Sequence, residues 1–283
     1  MTVISILLAT LAAGIGSVWL AAALMGLGVP AATHAGAARP GAEHLLSLAA
    51  GALLATAFMH LLPEAFESAA GPKPLFATLL VSVVFFFLLD KAELWHHGHE
   101  HHHGEHAHHH AHEEQAHEHH GHEHVRHGQA APTRTGGWAV LAGDSVHCFG
   151  DGVLIASAFV ADPRLGLVAA VAVLAHEVPH HIGDLAVLRQ TSGSRRAAIA
   201  KVSLAGAVTP LGGLVGWWLV ERLQSLLPFL LVVAASSFIY VALADLIPQL
   251  QKRLGGRDTF VQVLWLGLGI LLVAVVGQLF HRH

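Results

Sequence analysis

The sequence is poor in charge: Asp, Glu, Lys and Arg together make up 12% of its 283 residues. Water-soluble domains carry about a quarter, so a soluble globular fold fits badly, and the 54% apolar content excludes a disordered chain. Cysteine occurs once, at Cys148, which rules out an internal disulfide framework. Lys and Arg form no basic patch, so a nucleic-acid partner is not expected. A Gly-x-x-x-x-Gly-Lys-Ser/Thr segment is absent too, which argues against ATP as a driving force. Present instead are long apolar runs and histidine, with seventeen of 26 histidines lying between His96 and His127.

A membrane-crossing helix needs about 20 apolar residues. Eight runs of that kind, bounded by Pro, Gly or charge, occur at 3–27, 44–67, 75–95, 138–161, 165–188, 197–220, 226–250 and 259–280. The expected fold is therefore an all-α, polytopic membrane protein with eight transmembrane helices. The first run exceeds a signal-peptide core and has no basic residue before it, so it counts as a helix. Cytoplasmic loops collect Lys and Arg. Arg39, Lys91, Arg126, Arg134, Arg189, Arg195, Arg196, Lys201, Lys252, Arg253 and Arg257 fall on one side, against Lys73, Arg164, Arg222 and Arg282 on the other. That asymmetry places both termini outside the cytoplasm. Helices 1–3 then occupy 1–95 and helices 4–8 occupy 138–283. Between them, 96–137 reads as a disordered cytoplasmic loop of His, Glu, Gly and Ala, too polar to offset its ordering entropy. Its clustered imidazoles and carboxylates suit weak binding of Zn, Cu or Ni, as a local metal reservoir.

Span 4 contains Asp144, His147, Cys148 and Asp151 at helical spacing i, i+3, i+4, i+7. Span 5 repeats the pattern with Glu177, His180, His181 and Asp184, and places His176 four residues before His180. One buried His or Asp is usually a satisfied core residue. Here four acids lie between Trp138 and Leu188, and the only basic residue in that interval is Arg164 in the connecting loop. Carboxylates left uncompensated at membrane depth cost several kcal/mol each, which calls for a bound cation or protons. Imidazole with carboxylate suits a borderline divalent ion such as Zn(II). Pro179 removes the amide partner of the Ala175 carbonyl, and irregular backbone at this depth is tolerated where it lines a cavity. Span 2 has the same design, His60 and Glu64 around Pro63, and span 7 holds Asp245 before Pro248. Spans 2, 4, 5 and 7 are thus expected to carry a site and a path. Span 6 contributes the small face Gly206, Thr209, Gly213 and Gly216, suited to close helix approach.

These features together resemble the ZIP family of divalent metal transporters. The resemblance rests on His-Cys-Phe-Gly-Asp-Gly at 147–152, His-Glu-Val-Pro-His-His-Ile-Gly-Asp at 176–184, His-Leu-Leu-Pro-Glu at 60–64, the Ala244-Asp245 segment, and the histidine-rich loop after the third span. It implies a carrier of Zn(II), or of a similar ion such as Cd, Fe or Mn, into the cytoplasm by alternating access. Two adjacent metal positions would lie at mid-membrane, with His147, Asp151, His176, Glu177 and His180 as ligands. Glu177 and His180 would bridge the two positions. The resemblance further implies a homodimer in the lipid bilayer. Where the family usually has Asn this chain has Cys148, and where it usually has Glu it has His181. The softer thiolate would favour Zn or Cd over Fe or Mn at the second position, and occupancy by one ion or by two stays open. Ala, Gly and Leu richness without a targeting motif suggests a bacterial inner membrane. Deleting His99 to His124 is expected to alter the apparent affinity of uptake more than its maximal rate. A deletion that stops uptake outright would refute the reservoir reading.

Two other classes compete. His147 to Asp151 and His180 to Asp184 both read His-x-x-x-Asp, as in cation-diffusion-facilitator exporters, but those are six-span bundles followed by a soluble domain, whereas this chain ends at His283 just past its last span. His176-Glu177-Val178-Pro179-His180 also satisfies the His-Glu-x-x-His motif of zinc metalloproteases. Proline inside that motif, and a second ligand stripe on span 4, exceed what one catalytic zinc requires. The expectation is a transporter rather than an enzyme.

Overall fold

A computed structural model describes residues 2–29, 40–98, 136–192, 194–250 and 255–279. Nearly all of these are helical, and among them there is no strand. Eight helices among the described residues are long and apolar enough to cross a membrane: α1 (Thr2–Gly26), α2 (Gly41–Phe66), α3 (Pro72–Leu89), α4 (Leu141–Ala161), α5 (Pro163–Arg189), α6 (Arg195–Arg222), α7 (Gln224–Ala244) and α8 (Gly256–Leu279). They match the eight apolar runs one for one. Helical backbone continues from α3 to Gly98, so His96 and His97 extend a helix where a loop was expected to begin. Ala92, Glu93 and Leu94 are good helix formers and carry the backbone past the apolar segment. The rest of the histidine-rich stretch, 99–135, lies outside the described residues.

Local chemistry sets the turns. Gly71 takes a φ of 75° before Pro72 opens α3, a left-handed conformation that glycine adopts without strain. The Asp162 carboxylate accepts from the amides of Arg164 at 2.7 Å and Leu165 at 3.2 Å, capping α5, while Pro163 occupies the first helical position. Ser194 caps α6 by accepting from the Ala197 amide.

The helices pack through small residues. α4 lies against α5 and α6, α1 against α5 and α6, α2 against α8, and α3 against α7. A Cβ at Gly152 of α4 would strike the Thr209 carbonyl and the Gly213 amide of α6, and one at Gly212 would strike the Phe149 carbonyl. Span 6's small face is shared between two neighbours: Gly206 meets Gly14 of α1, Gly213 meets Thr10 and Ile6, and Gly216 meets Val153 of α4. Without a hydrophobic force between helices in lipid, such close approach supplies the dispersion energy of association. Buried hydroxyls turn back onto their own helices, Thr10 to Ile6 O (2.7 Å), Thr56 to Ala52 O (2.9 Å) and Ser157 to Val153 O (2.9 Å). Large apolar side chains such as Leu80, Phe85, Val263 and Leu271 face outward from α3 and α8. That is the polarity a lipid-facing surface requires.

Among the described residues three helices widen locally into a π-helical turn, at Ala12–Gly16 in α1, at Ala57–Leu61 in α2, and at Val241–Leu246, which carries α7 past Ala244. In α2 and α7 the turn precedes a proline, Pro63 and Pro248, whereas α5, which shares the proline design of span 2 in sequence, stays α-helical through Pro179. The Leu62 amide reaches Ala57 O and the Ile247 amide reaches Ala242 O, five residues back. Such turns concentrate at functional sites.

Candidate metal centre

α4 and α5 run antiparallel, joined by the short Asp162 turn, so the first half of α4 faces the second half of α5 and Asp151 meets His176 while Asp144 meets His180. Three groups result in which the ligand atoms lie within 4.8 Å of one another: His147, Asp151, His176 and Glu177; Asp144, Cys148, Glu177 and His181; and Asp144, His180 and Asp184. The groups form a ladder. Glu177 belongs to the first two and Asp144 to the last two. All nine candidate residues of the two span motifs therefore converge.

In the first group, Glu177 Oε1 lies 3.3 Å from both His147 Nε2 and His176 Nε2, and Asp151 Oδ2 lies 3.3 Å from His176 Nε2. The Nε2 atoms of His147 and His176 are 3.3 Å apart. His176 directs Nδ1 at Ala172 O, 3.3 Å away. A proton on Nδ1 donated to that carbonyl leaves the Nε2 lone pair facing the carboxylates, which is how protein groups orient a ligating imidazole. In the second group, Glu177 Oε2 lies 3.1 Å from His181 Nε2 and 3.8 Å from Cys148 Sγ, with Asp144 Oδ1 3.7 Å from that sulfur. In the third, His180 Nε2 is 3.6 Å from Asp144 Oδ1 and 3.5 Å from Asp184 Oδ2.

Asp144, Asp151, His176, Glu177, His181 and Cys148 are buried, His147 and Asp184 are half-buried, and His180 is exposed. Several inward atoms lack a hydrogen bond: Asp144 Oδ2, Asp151 Oδ2, Glu177 Oε1, His181 Nε2 and Asp184 Oδ2. Buried polar atoms are rarely left so. Carboxylate oxygens and imidazole nitrogens converging without bonded partners are a donor set for a cation.

His176 and His180 fall in different groups, so the His-Glu-x-x-His motif does not gather its two imidazoles on one point. His60 and Glu64 belong to none of the three groups. The His60 ring lies against Gly277 of α8, where a Cβ would meet its Cε1 at 2.6 Å. Glu64 is exposed and lines a cleft with Glu67, Ser68, Ala161 and Leu227. The side chain of Asp245 lies outside the described set, although its backbone is in the α7 π turn. One contact had no clear sequence signal. Ser17 of α1 places Oγ 3.0 Å from His181 Nδ1. Its one hint was a hydroxyl beside Gly14-Ile15-Gly16, and Thr2, Ser5 and Thr10 give α1 other hydroxyls.

A family model described as ZIP Zinc transporter matches residues 2–277. Among curated relatives, the chain is similar to "Zinc transporter ZIP13 homolog" of Drosophila melanogaster, 33% identical over 155 residues, 53% of this chain and 43% of that protein. It is also similar to human "Zinc transporter ZIP10", 33% identical over 121 residues, 43% of this chain and 15% of the relative. A third relative, "Zinc transporter SLC39A7" of Canis lupus familiaris, is 34% identical over 157 residues, 52% of this chain and 33% of the relative. The matched regions span less than half the length of each of these relatives.

Proposed function

Because the chain belongs to the ZIP zinc transporter family, we propose that it is a multi-pass membrane carrier that moves Zn(II), or a similar divalent ion such as Cd(II), Fe(II) or Mn(II), into the cytoplasm. The observation that carries this reading is the ladder on α4 and α5, in which Glu177 gives one carboxylate oxygen to each of two ligand groups. A dication entering such a ladder sheds water one ligand at a time, and Glu177 and Asp144 stand where one group hands over to the next. Clustered carboxylates and imidazoles bind too tightly for an open pore, which needs weak binding to conduct. A carrier with alternating access fits them better. The Lys and Arg asymmetry orients both termini to the extracytoplasmic side, in a bacterial inner membrane. Separation of His176 from His180 favours the carrier over an intramembrane metalloprotease, whose single zinc would need both imidazoles.

The test is uptake of several divalent metals by purified protein in liposomes. Saturable Zn(II) uptake is expected, weakening as the outside pH falls below about 6.5, where imidazole ordinarily takes up a proton and competes with the metal. Uptake that stays flat from about pH 7.5 to about pH 5.5 would exclude imidazole ligands on the path.

A further inference from the structure

Ser17 is the only side chain of α1 with a hydrogen bond to a member of the three ligand groups among those described, and its own bonding decides where the proton on His181 sits. A serine hydroxyl has one hydrogen to donate and can accept as well. Ser17 Oγ lies 2.6 Å from Gly14 O and 3.0 Å from His181 Nδ1. The carbonyl can only accept, and it is the closer partner. The hydroxyl hydrogen therefore goes to Gly14 O, and Ser17 Oγ accepts from His181 Nδ1–H. The far side of the ring agrees with this. His181 Nε2 makes no hydrogen bond although Glu177 Oε2 lies 3.1 Å away, so a proton there would be buried without an acceptor in line. Both Ser17 and His181 are fully buried, and water cannot substitute for either partner.

We propose that Ser17 is a positioning residue that holds His181 as the Nδ1–H tautomer, so that its Nε2 lone pair and the Cys148 sulfur form a nitrogen–sulfur ligand pair in the second group, selective for Zn(II) and Cd(II) over Mn(II). The assignment rests on the carrier reading of α4 and α5 and adds the helix and the chemistry that set selectivity there. A neutral imidazole ligand needs its other nitrogen tied to an acceptor, which fixes both tautomer and ring angle. Sulfur and imidazole select Zn-type ions, while Mn(II) prefers oxygen. The thiol binds as thiolate, and its proton is released to solvent as the metal–sulfur bond forms. Asp144 and Glu177 supply the remaining oxygens. The π turn Ala12–Gly16 sits directly before Ser17, and Gly14 O is one of its carbonyls.

The experiment is a Co(II) titration of the purified full-length protein, with Co(II) standing in for Zn(II). Cys148 is the chain's only cysteine, so a thiolate-to-cobalt charge-transfer band reports this group alone and the histidine-rich stretch is silent in it. The expected result is a band in the parent protein that Zn(II) and Cd(II) displace well below the Mn(II) concentration that does so, and no band in Cys148→Ser. Loss of the orienting hydroxyl in Ser17→Ala should raise the half-saturating Co(II) concentration about 10- to 100-fold, and Ser17→Thr, which keeps it, should restore binding. In a His181→Ala background, Ser17→Ala should cost nothing further, because the two residues act through one bond. The proposal is overturned by the absence of a band in the parent protein, by Ser17→Ala titrating like the parent, or by losses that multiply in the double variant. Should Ser17→Ala fail to fold, His181→Ala decides, and a titration identical to the parent's overturns it. A normal band without liposome uptake would instead count against the carrier reading and leave this assignment standing.

Discussion

Replacing Glu177 by alanine is expected to abolish saturable metal uptake while the protein still inserts and purifies as a folded species. Glu177 Oε1 lies 3.3 Å from His147 Nε2 and His176 Nε2, and Oε2 lies 3.1 Å from His181 Nε2, so one truncation removes a ligand from two groups at once. Losing a residue that merely orients a ligand costs about 10- to 100-fold in affinity or activity. Removing a carboxylate shared by two groups should exceed the upper end of that range. Folding should survive because a buried charge is itself a desolvation burden, and Asp151 and Asp144 remain beside the imidazoles that Glu177 faces. His147→Ala should also abolish saturable uptake, since it removes the imidazole that meets both Glu177 and Asp151. Glu221→Ala, exposed near the end of α6 and outside the ligand groups, serves as the control and should retain uptake. Counterflow or radiometal uptake in liposomes makes the measurement, and transport retained in both Glu177→Ala and His147→Ala would overturn the assignment of the site.

The second large effect concerns stability. Gly152 of α4 faces the Thr209 carbonyl and the Gly213 amide of α6, the latter 2.6 Å from where a Cβ would stand. Both are backbone atoms, which cannot rotate aside. Gly152→Ala must push the two helices apart, and overpacking of this kind costs about 1–3 kcal/mol, occasionally more. Gly150, two residues earlier, has nothing within 4 Å of its Cβ position. Gly150→Ala should therefore be neutral or slightly stabilising, since alanine is the better helix former by about 1 kcal/mol. Thermal unfolding in detergent, followed by tryptophan fluorescence, compares them directly. Equal midpoints for the two variants would mean that the α4–α6 contact is looser than described. Uptake should fall in Gly152→Ala as well, because Asp151 is the next residue and moves with the backbone.

The membrane fold was legible in the sequence because lipid imposes a simple rule: each crossing is about 20 apolar residues, and Pro, Gly and charge mark the ends. The α4 and α5 ligands were legible for a related reason, since carboxylates and imidazoles at helical spacing inside apolar runs have few structural uses. Pairing between helices was not. Spacing puts His176 and His180 on one face, but only the antiparallel register of α4 shows that His176 meets Asp151 while His180 meets Asp144. His60 and Glu64 share the i, i+4 spacing of those ligands, yet the faces they present go to α8 and to an exposed cleft. The three π turns were invisible because one inserted residue leaves composition and mean hydropathy unchanged. Ser17 was hidden for a similar reason: a serine in an apolar helix normally bonds its own backbone, and this one does so while its Oγ also lies 3.0 Å from His181 Nδ1.

The two oxygens of Glu177 also bear on how cargo leaves. If a dication sits at each, both draw on a single negative charge and repel one another across the carboxylate, so occupancy of either weakens the grip on the other. Reciprocity makes the penalty the same in both directions. A second ion arriving at one oxygen would thus loosen the ion already held at the other, and turnover would quicken as supply rises even though a solitary ion is held fast.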